Sequence, residues 1–202
     1  MIQRKIDQLD EADRHLLVPA SIQGYEFDSA DVAHAWSRDA AEVEERLEKL
    51  DRVHAFVRLV REQEFPDQTL TMRYRFVHAL YQNALYASLR PSRRTALSAA
   101  VAQALVGHYG EKTTVVASQL ALLYEAARDF TRAAQYFQLA AQNATRVVAY
   151  QEAIVLARRG LELLKLRPDI PEHSQRELLL QLALGVPLIA IKGPEDIEVE
   201  QA

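Results

Sequence analysis

The chain has 202 residues, which is enough to bury a hydrophobic core and corresponds to one large domain or two small ones. Its 24 basic and 28 acidic side chains give a formal net charge of −4, so no overall positive charge draws it to nucleic acid or to an anionic membrane. The absence of cysteine excludes disulfides, thiolate catalysis and cysteine-bound zinc.

Three short helices are predicted in the N-terminal quarter of the chain. Leucines and small residues recur at helical spacing from Asp10 to Ile22, and Gly24 follows as a glycine past a helix end does. Asp28 is predicted to cap a second helix. Asp31 lies in the first turn of that helix, where its negative charge interacts favourably with the helix dipole. Asp39 is predicted to cap a third helix, AAEVEERLEKLDRV.

A change of period then predicts a β-hairpin. The segment HAFVRLVREQ is rich in valine, and in QTLTMRYRFV apolar and polar residues alternate. Between them lies FPDQ, in which proline and aspartate favour a turn. Three helices followed by a hairpin is the order of elements in a winged helix.

The rest of the chain is predicted to be helical, with helices at about 77–89, 92–107, 114–127, 130–146, 149–165 and 172–191. Small and aromatic residues recur at intervals that match degenerate tetratricopeptide helix pairs, in which small residues let neighbouring helices approach closely. The sequence therefore predicts a mainly α protein: a winged-helix domain over residues 1–92, and a tetratricopeptide-like antiparallel helical array, expected to be truncated, over 93–202.

The last predicted helix carries the most hydrophobic run, residues 178–193. This run is shorter than the roughly 20 apolar residues that span a bilayer, and the charged N-terminus lacks the apolar core of a signal peptide, so we expect a cytoplasmic protein without membrane contact. Its leucines are expected to form an uncovered apolar surface through which the chain self-associates: Leu178, Leu179, Leu182 and Leu184.

Three segments carry a resemblance to a known family. They are LDEADRHLLVPASIQGYEF at 9–27, YRFVHALYQNALYASLRPSRR at 74–94 and AAQYFQLAAQNA at 133–144. Together they resemble the middle of large bacterial ATPases of the signal-transduction class with numerous domains (STAND), including ATPases attached to adenylate cyclases and to maltose-type transcriptional regulators. In that family a nucleotide-binding domain precedes a winged helix, and helical repeats follow.

The chain departs from this plan because it contains no G-x-x-x-x-G-K-[ST] phosphate loop. We therefore expect no cofactor in this chain, with ATP or ADP bound by an upstream domain that the sequence lacks. The resemblance implies that His78 contacts the phosphates of ADP in a full-length parent. The residues themselves leave a second interpretation open, in which His78 caps its own helix or packs beneath the hairpin.

Arg90, Arg93 and Arg94 form a basic cluster at a predicted helix start, where positive charge opposes the dipole, so a compensating partner is expected for them. An acidic surface elsewhere in the protein is the main expectation, and a nucleic-acid or phosphate contact is the alternative. DNA recognition through the third helix is not expected, because residues 39–51 hold six acidic and two basic side chains, net −4. No metal site is expected either, since no two histidines lie within four residues of each other.

No serine elbow or other catalytic constellation is present in the sequence, so we do not expect an enzyme. We expect a non-catalytic regulatory and protein-interaction segment of a signal-transduction ATPase or ATPase-linked transcriptional regulator, with protein partners that include an ATPase core in cis or in trans. The alternative is a stand-alone winged-helix DNA-binding regulator that uses the hairpin wing and the basic cluster.

Overall fold

The computed structural model describes residues 2–166 and 172–193, and these form a mainly helical protein with a small three-stranded antiparallel sheet. The elements in chain order are α1 (Ile2–Asp7), α2 (Glu11–Gln23), β1 (Glu26–Asp28), α3 (Ser29–Trp36), α4 (Ala40–Arg52), β2 (Val57–Glu64), β3 (Leu70–Phe76), α5 (Ala79–Ala87), α6 (Pro91–Tyr109), a 3-10 segment (Gly110–Val116), α7 (Ala117–Ala126), α8 (Phe130–Arg146), α9 (Tyr150–Lys165) and α10 (Glu172–Lys192).

Two compact units make up the chain, Met1–Lys112 and Thr113–Ala202. Helix α6, expected from the sequence to open the second region, packs instead in the first unit against α2 and α3. The division therefore lies after Lys112 rather than at residues 92–93, because the apolar residues of α6 are buried in the first unit.

The three predicted N-terminal helices are present as α2, α3 and α4. Asp10 caps α2 by accepting from the Asp13 amide at 2.6 Å, and Asp39 caps α4 by accepting from the Ala41 amide at 2.9 Å. The prediction for Asp28 is wrong: its side chain makes no capping hydrogen bond to α3. The carboxylate instead accepts from the guanidinium of Arg73, a stronger, charge-assisted donor.

The predicted hairpin is confirmed, and it joins a short strand that periodicity did not reveal. The sheet order is β1-β3-β2, with both pairs antiparallel and an irregularity between Leu59 and Arg61. At the turn the amide of Phe65 donates to the carbonyl of Thr69 at 2.9 Å. Three phenylalanines are buried in the core of this unit: Phe27 on β1, Phe76 on β3, and Phe56 immediately before β2.

In the second unit each helix packs against the next, and α10 also packs against α8. The predicted bounds of α8 and α9 agree with the structure within one residue. Alanines at the contacts are fully buried, and they keep the helix axes close: Ala121, Ala133, Ala134, Ala141, Ala153 and Ala157. The tetratricopeptide-like arrangement of these helices stays a prediction.

We expect Gly160→Ala to destabilise the second unit by about 1–3 kcal/mol, the usual cost of overpacking. A Cβ at Gly160 would lie 2.7 Å from Leu180 Cδ2 and 3.3 Å from Phe137 Cβ, and Leu180 is fully buried, so it has little room to move. Gly185→Ala in α10 is the matched control, because a Cβ there meets nothing within 4 Å. Urea unfolding followed by circular dichroism should show Gly185→Ala unchanged or more stable by up to about 1 kcal/mol. Equal midpoints for the two variants would refute the close contact.

Helix α10 is only partly covered. Leu178, Leu179 and Leu182 are 56, 38 and 61% exposed, as expected for an open apolar face. The prediction for Leu184 is wrong: it is buried against Ala141 and Ile154, because it lies on the opposite side of the helix. Self-association stays a prediction.

By length and composition, the segment Ser174–Lys192 of α10 would suffice to cross a membrane, and it is the one such segment among the described residues. A single helix of this kind is weak evidence for a membrane span, because core helices of soluble proteins have the same composition. The fold is compatible with a soluble helical protein, and a cytoplasmic location stays a prediction.

Candidate functional site

His78 occupies the N-cap position of α5 but makes no capping hydrogen bond. Its side chain is exposed, and its ring centroid lies 5.7 Å from that of Tyr81. Lys5 Nζ lies 5.5 Å from the same tyrosine ring, on the side of the domain where α1 packs against α5. His78 therefore neither caps its helix nor is buried beneath the hairpin, and its ring is accessible to solvent.

The basic cluster is divided in two by the structure. Arg90 and Arg93 are exposed, whereas Arg94 lies over the ring of Tyr86 at 4.4 Å. Its guanidinium also lies 3.4 Å from the carbonyl of Tyr86 and 3.5 Å from that of Leu89. Carbonyl groups in the last turn of α5 and just past its end, with their partial negative charge, thus accept from Arg94, whereas Arg90 and Arg93 are exposed.

Two adjoining cavities of about 350 and 370 Å³ lie along α8 and α10 in the second unit and meet at Leu179. We call this surface the α8–α10 groove. Its lining residues are Gln135, Gln138, Leu139, Gln142, Thr145 and Arg146 on α8, and Gln175, Arg176, Leu179, Leu182, Ala183 and Val186 on α10.

The chemistry of the α8–α10 groove differs between its two walls. Three of the six α8 lining residues are glutamines, whose side-chain amides both donate and accept hydrogen bonds, as the backbone of an extended peptide does. The α10 wall is mostly apolar. Arg176 lines one cavity and Arg146 the other, and the described lining residues include no carboxylate. The groove therefore presents apolar contacts, amide hydrogen bonds and positive charge together.

Arg176 is held in place within this groove. One terminal nitrogen donates to the carbonyl of Thr131 at 3.3 Å, while Nε is buried without a partner among the described residues. Arg146 is exposed and lies 3.5 Å from the side-chain oxygen of Asn143. Both guanidinium groups retain donors for a ligand carboxylate.

The groove is not evident from the sequence, since it depends on α10 packing against α8. One signal was available: glutamines at 135, 138 and 142 recur at three and four residues, which puts them on one face of a helix. Amides on one face of a helix indicate a hydrogen-bonding surface rather than a buried one.

A second polar cluster lies inside the first unit, where Asp28 and Asp31 are 2 and 0% exposed. Arg73 donates to one oxygen of Asp28 at 2.8 Å, and Gln63 donates to the other at 2.7 Å. Burial raises the pKa of Asp28 despite the opposing effect of Arg73. Burial, together with the charge of Asp28, raises the pKa of Asp31 well above its usual range.

His108 on α6 connects this cluster to the hairpin turn. Its Nδ1 lies 2.9 Å from Asp67 Oδ2, and its Nε2 lies 3.8 Å from Asp31 Oδ1. No local pattern in the sequence indicates this contact, because the three residues are far apart along the chain. Among the described residues no group of three or more His, Asp or Glu side chains has a geometry that could hold a metal ion.

No protein-family model, no curated protein and no solved structure matches this chain. The resemblance to STAND ATPases stays a prediction from the segments that carry it, and the geometry of the groove and of the buried cluster is the remaining ground for a function.

Proposed function

We propose that this chain is a non-catalytic regulatory and protein-interaction segment of a signal-transduction ATPase or an ATPase-linked transcriptional regulator. The α8–α10 groove is the observation that carries the interaction part of the proposal. It offers an uncovered apolar wall beside a hydrogen-bonding wall, with an arginine in each of its two cavities. A surface of this composition suits a peptide segment better than a small substrate.

The partner that fits the groove is an extended segment with acidic and apolar side chains. Its apolar side chains cover Leu179, Leu182 and Val186, which water otherwise contacts. Its carboxylates pair with Arg146 and Arg176, and its backbone groups meet the glutamine amides. A basic segment of equal hydrophobicity has no such partners, so charge decides the specificity.

The order of elements in the first unit supports the regulatory part of the proposal, because α2, β1, α3 and α4 precede the β2–β3 hairpin in an order similar to that of a winged helix. In the proposed parent this unit adjoins a nucleotide-binding core and has different contacts in its open and closed states, as any ligand-controlled equilibrium requires. In that parent, His78, which is exposed at the start of α5, contacts a phosphate of the bound nucleotide. Arg90 and Arg93 contact acidic groups of a partner protein.

We expect Arg146→Glu to weaken binding of an acidic, leucine-containing 12-residue peptide by about tenfold, because a favourable charge pair is lost and a repulsive one is gained. Fluorescence anisotropy of the labelled peptide measures the change. Arg128→Glu is the matched control, because Arg128 is exposed in the same unit and does not line the groove. Equal weakening by both variants would show that net charge, rather than the groove, governs binding.

Association with an isolated nucleotide-binding core of a STAND ATPase, with and without ADP, tests the regulatory part. We expect an affinity that differs between the two conditions and falls when His78 is replaced by alanine only where ADP is present. Absence of association in both conditions would refute this part and leave the groove prediction intact.

The alternative, a stand-alone DNA-binding regulator, rests on the exposed Arg90 and Arg93 and on the basic residues of the hairpin. Retention on random duplex DNA at rising salt separates the two readings, since phosphate contacts weaken steeply with ionic strength. We expect no retention at about 0.15 M salt, and salt-sensitive retention would favour the alternative.

A further inference from the structure

The two arginines of the α8–α10 groove lie towards its opposite ends. The guanidinium of Arg176 is held near the start of α8, where it donates to the Thr131 carbonyl at 3.3 Å. The guanidinium of Arg146 lies near the end of α8, 3.5 Å from the side-chain oxygen of Asn143. From residue 131 to residue 143 the helix rises by about 18 Å, at 1.5 Å per residue. A ligand that pairs with both guanidinium groups must span about that distance.

Between the two arginines, α8 presents amides at the spacing of an extended backbone. Gln138 lines one cavity and Gln142 the other, and a separation of four residues places them about 6 Å apart along the helix axis. In an extended chain the groups on one edge recur every second residue, which is about 6.6 Å. Both amides can therefore bond the backbone of one extended segment. A helical partner offers few such groups, because its backbone bonds internally.

The apolar contacts of the groove fall between the two positive charges. Leu179, where the two cavities meet, is 38% exposed, and Leu182 is 61% exposed. Apolar side chains of a bound segment would remove this surface from water. The described lining residues include no carboxylate that could neutralise either arginine. The order along the groove is therefore charge, apolar surface, charge.

We propose that the α8–α10 groove selects an extended segment with two acidic side chains six residues apart and apolar side chains between them. This inference rests on the proposed function of the groove as a peptide site and adds the register of its partner. Six residues span about 20 Å in a strand and about 19 Å in a polyproline II helix, close to the separation of the guanidinium groups.

The side on which the two acidic side chains emerge also favours a spacing of six. Side chains alternate with a period of two in a strand and of three in a polyproline II helix, and six is a multiple of both. Five residues span nearly the same length but place the two side chains on opposite sides of a strand. At six residues, each carboxylate accepts charge-assisted hydrogen bonds from one guanidinium.

Three capped 14-residue peptides of identical composition test the register by fluorescence anisotropy. Each contains two glutamates, with leucines and neutral polar residues at the other positions, and the glutamates are three, six or eleven residues apart. The eleven-residue spacing places both glutamates on one face of a helix, about 16.5 Å apart, so it represents a helical partner. We expect the six-residue spacing to bind about tenfold more tightly than the other two, because only this peptide reaches both arginines when extended.

Two variants show whether the preference depends on the groove. Arg146→Gln should abolish it, since one of the two charges is removed. Arg128→Gln should keep it, because Arg128 does not line the groove. Arg146 and Arg128 are both exposed, so neither replacement disturbs the core.

The outcomes separate the register from the proposed function. Equal binding of the three peptides, tightest binding at the eleven-residue spacing, or a preference that persists in Arg146→Gln would overturn the register. The groove would remain a peptide site if Arg146→Glu still weakened binding in those cases. Binding of none of the peptides would contradict the proposed function and this inference with it.

Discussion

Replacement of Arg73 by methionine is expected to destabilise the first unit by about 3–5 kcal/mol at pH 8, the usual cost of leaving a buried charge without its partner. The guanidinium donates to Asp28 at 2.8 Å, and its charge opposes the raised pKa values of Asp28 and Asp31, both of which are almost completely buried. Methionine keeps the apolar stem of the side chain, so the loss is mainly electrostatic. Urea unfolding followed by the fluorescence of Trp36, the single tryptophan, measures it.

The same variant should regain stability as pH falls. Burial raises the pKa values of Asp28 and Asp31 in the folded state, so both carboxyls take up protons on folding at a pH where unfolded aspartates stay ionised. Without Arg73 this proton uptake increases, and stability is present at low pH and lost as pH rises through the raised pKa values.

Arg58→Met is the control for this prediction, because Arg58 is exposed and Asp51, its partner at 3.5 Å, also accepts from the Leu59 amide. Surface pairs contribute about 0–1 kcal/mol, so this variant should unfold close to the wild-type midpoint. Adding Asp28→Asn to Arg73→Met should recover part of the loss, since it removes one unpaired charge. If Arg73→Met and Arg58→Met unfold alike, the buried cluster does not have the electrostatic role assigned to it.

A second large effect is expected at Phe27, where replacement by alanine should cost about 3–5 kcal/mol. The ring is fully buried on β1, with its centroid 5.2 Å from Phe76 and 6.0 Å from Tyr74 on β3. Alanine leaves a cavity at the centre of the sheet face and removes both aromatic contacts.

Tyr25→Ala is the matched control, because Tyr25 lies two residues earlier in the chain and is 41% exposed. It should change the free energy of unfolding by less than about 0.5 kcal/mol, as surface substitutions usually do. The fluorescence of Trp36 reports both variants. Equal losses would mean that β1 is not an integral part of the core.

Local signals in the sequence predicted the elements whose causes are local. The caps at Asp10 and Asp39 lie within three residues of the amides they accept, and the alternation in β3 is a property of seven consecutive residues. β1 is only three residues long, too short for a period to appear, and it exists because β3 offers it an edge.

The sequence did not predict those contacts whose partners lie far apart along the chain. Asp28 has the residue type and position of a cap, but a guanidinium 45 residues away gives it a stronger partner. His108 and Asp67 are 41 residues apart, and no pattern joins them. Leu184 resembles its neighbours in the last helix, and only the packing against α8 and α9 distinguishes the buried face from the exposed one.

In the candidate site, too, local features could be predicted from the sequence and contacts between distant segments could not. The glutamines of α8 were visible as one face of a helix, but a groove needs a second wall, and the sequence does not say which later helix supplies it. His78 and the basic cluster were found from the sequence, and the structure adds that Arg94 is engaged by Tyr86 while the other two arginines are exposed.

Selection from a random library of displayed 12-residue peptides tests the central claim, that the second unit is an interaction surface with a charge preference. The immobilised chain is the bait, and the chain carrying Arg146→Glu is used in parallel. We predict enrichment of peptides that combine acidic and large apolar residues, with binding to the Arg146→Glu bait weakened by about tenfold. No enrichment, or enriched peptides that bind both baits equally, would contradict the assignment of the α8–α10 groove as the binding surface.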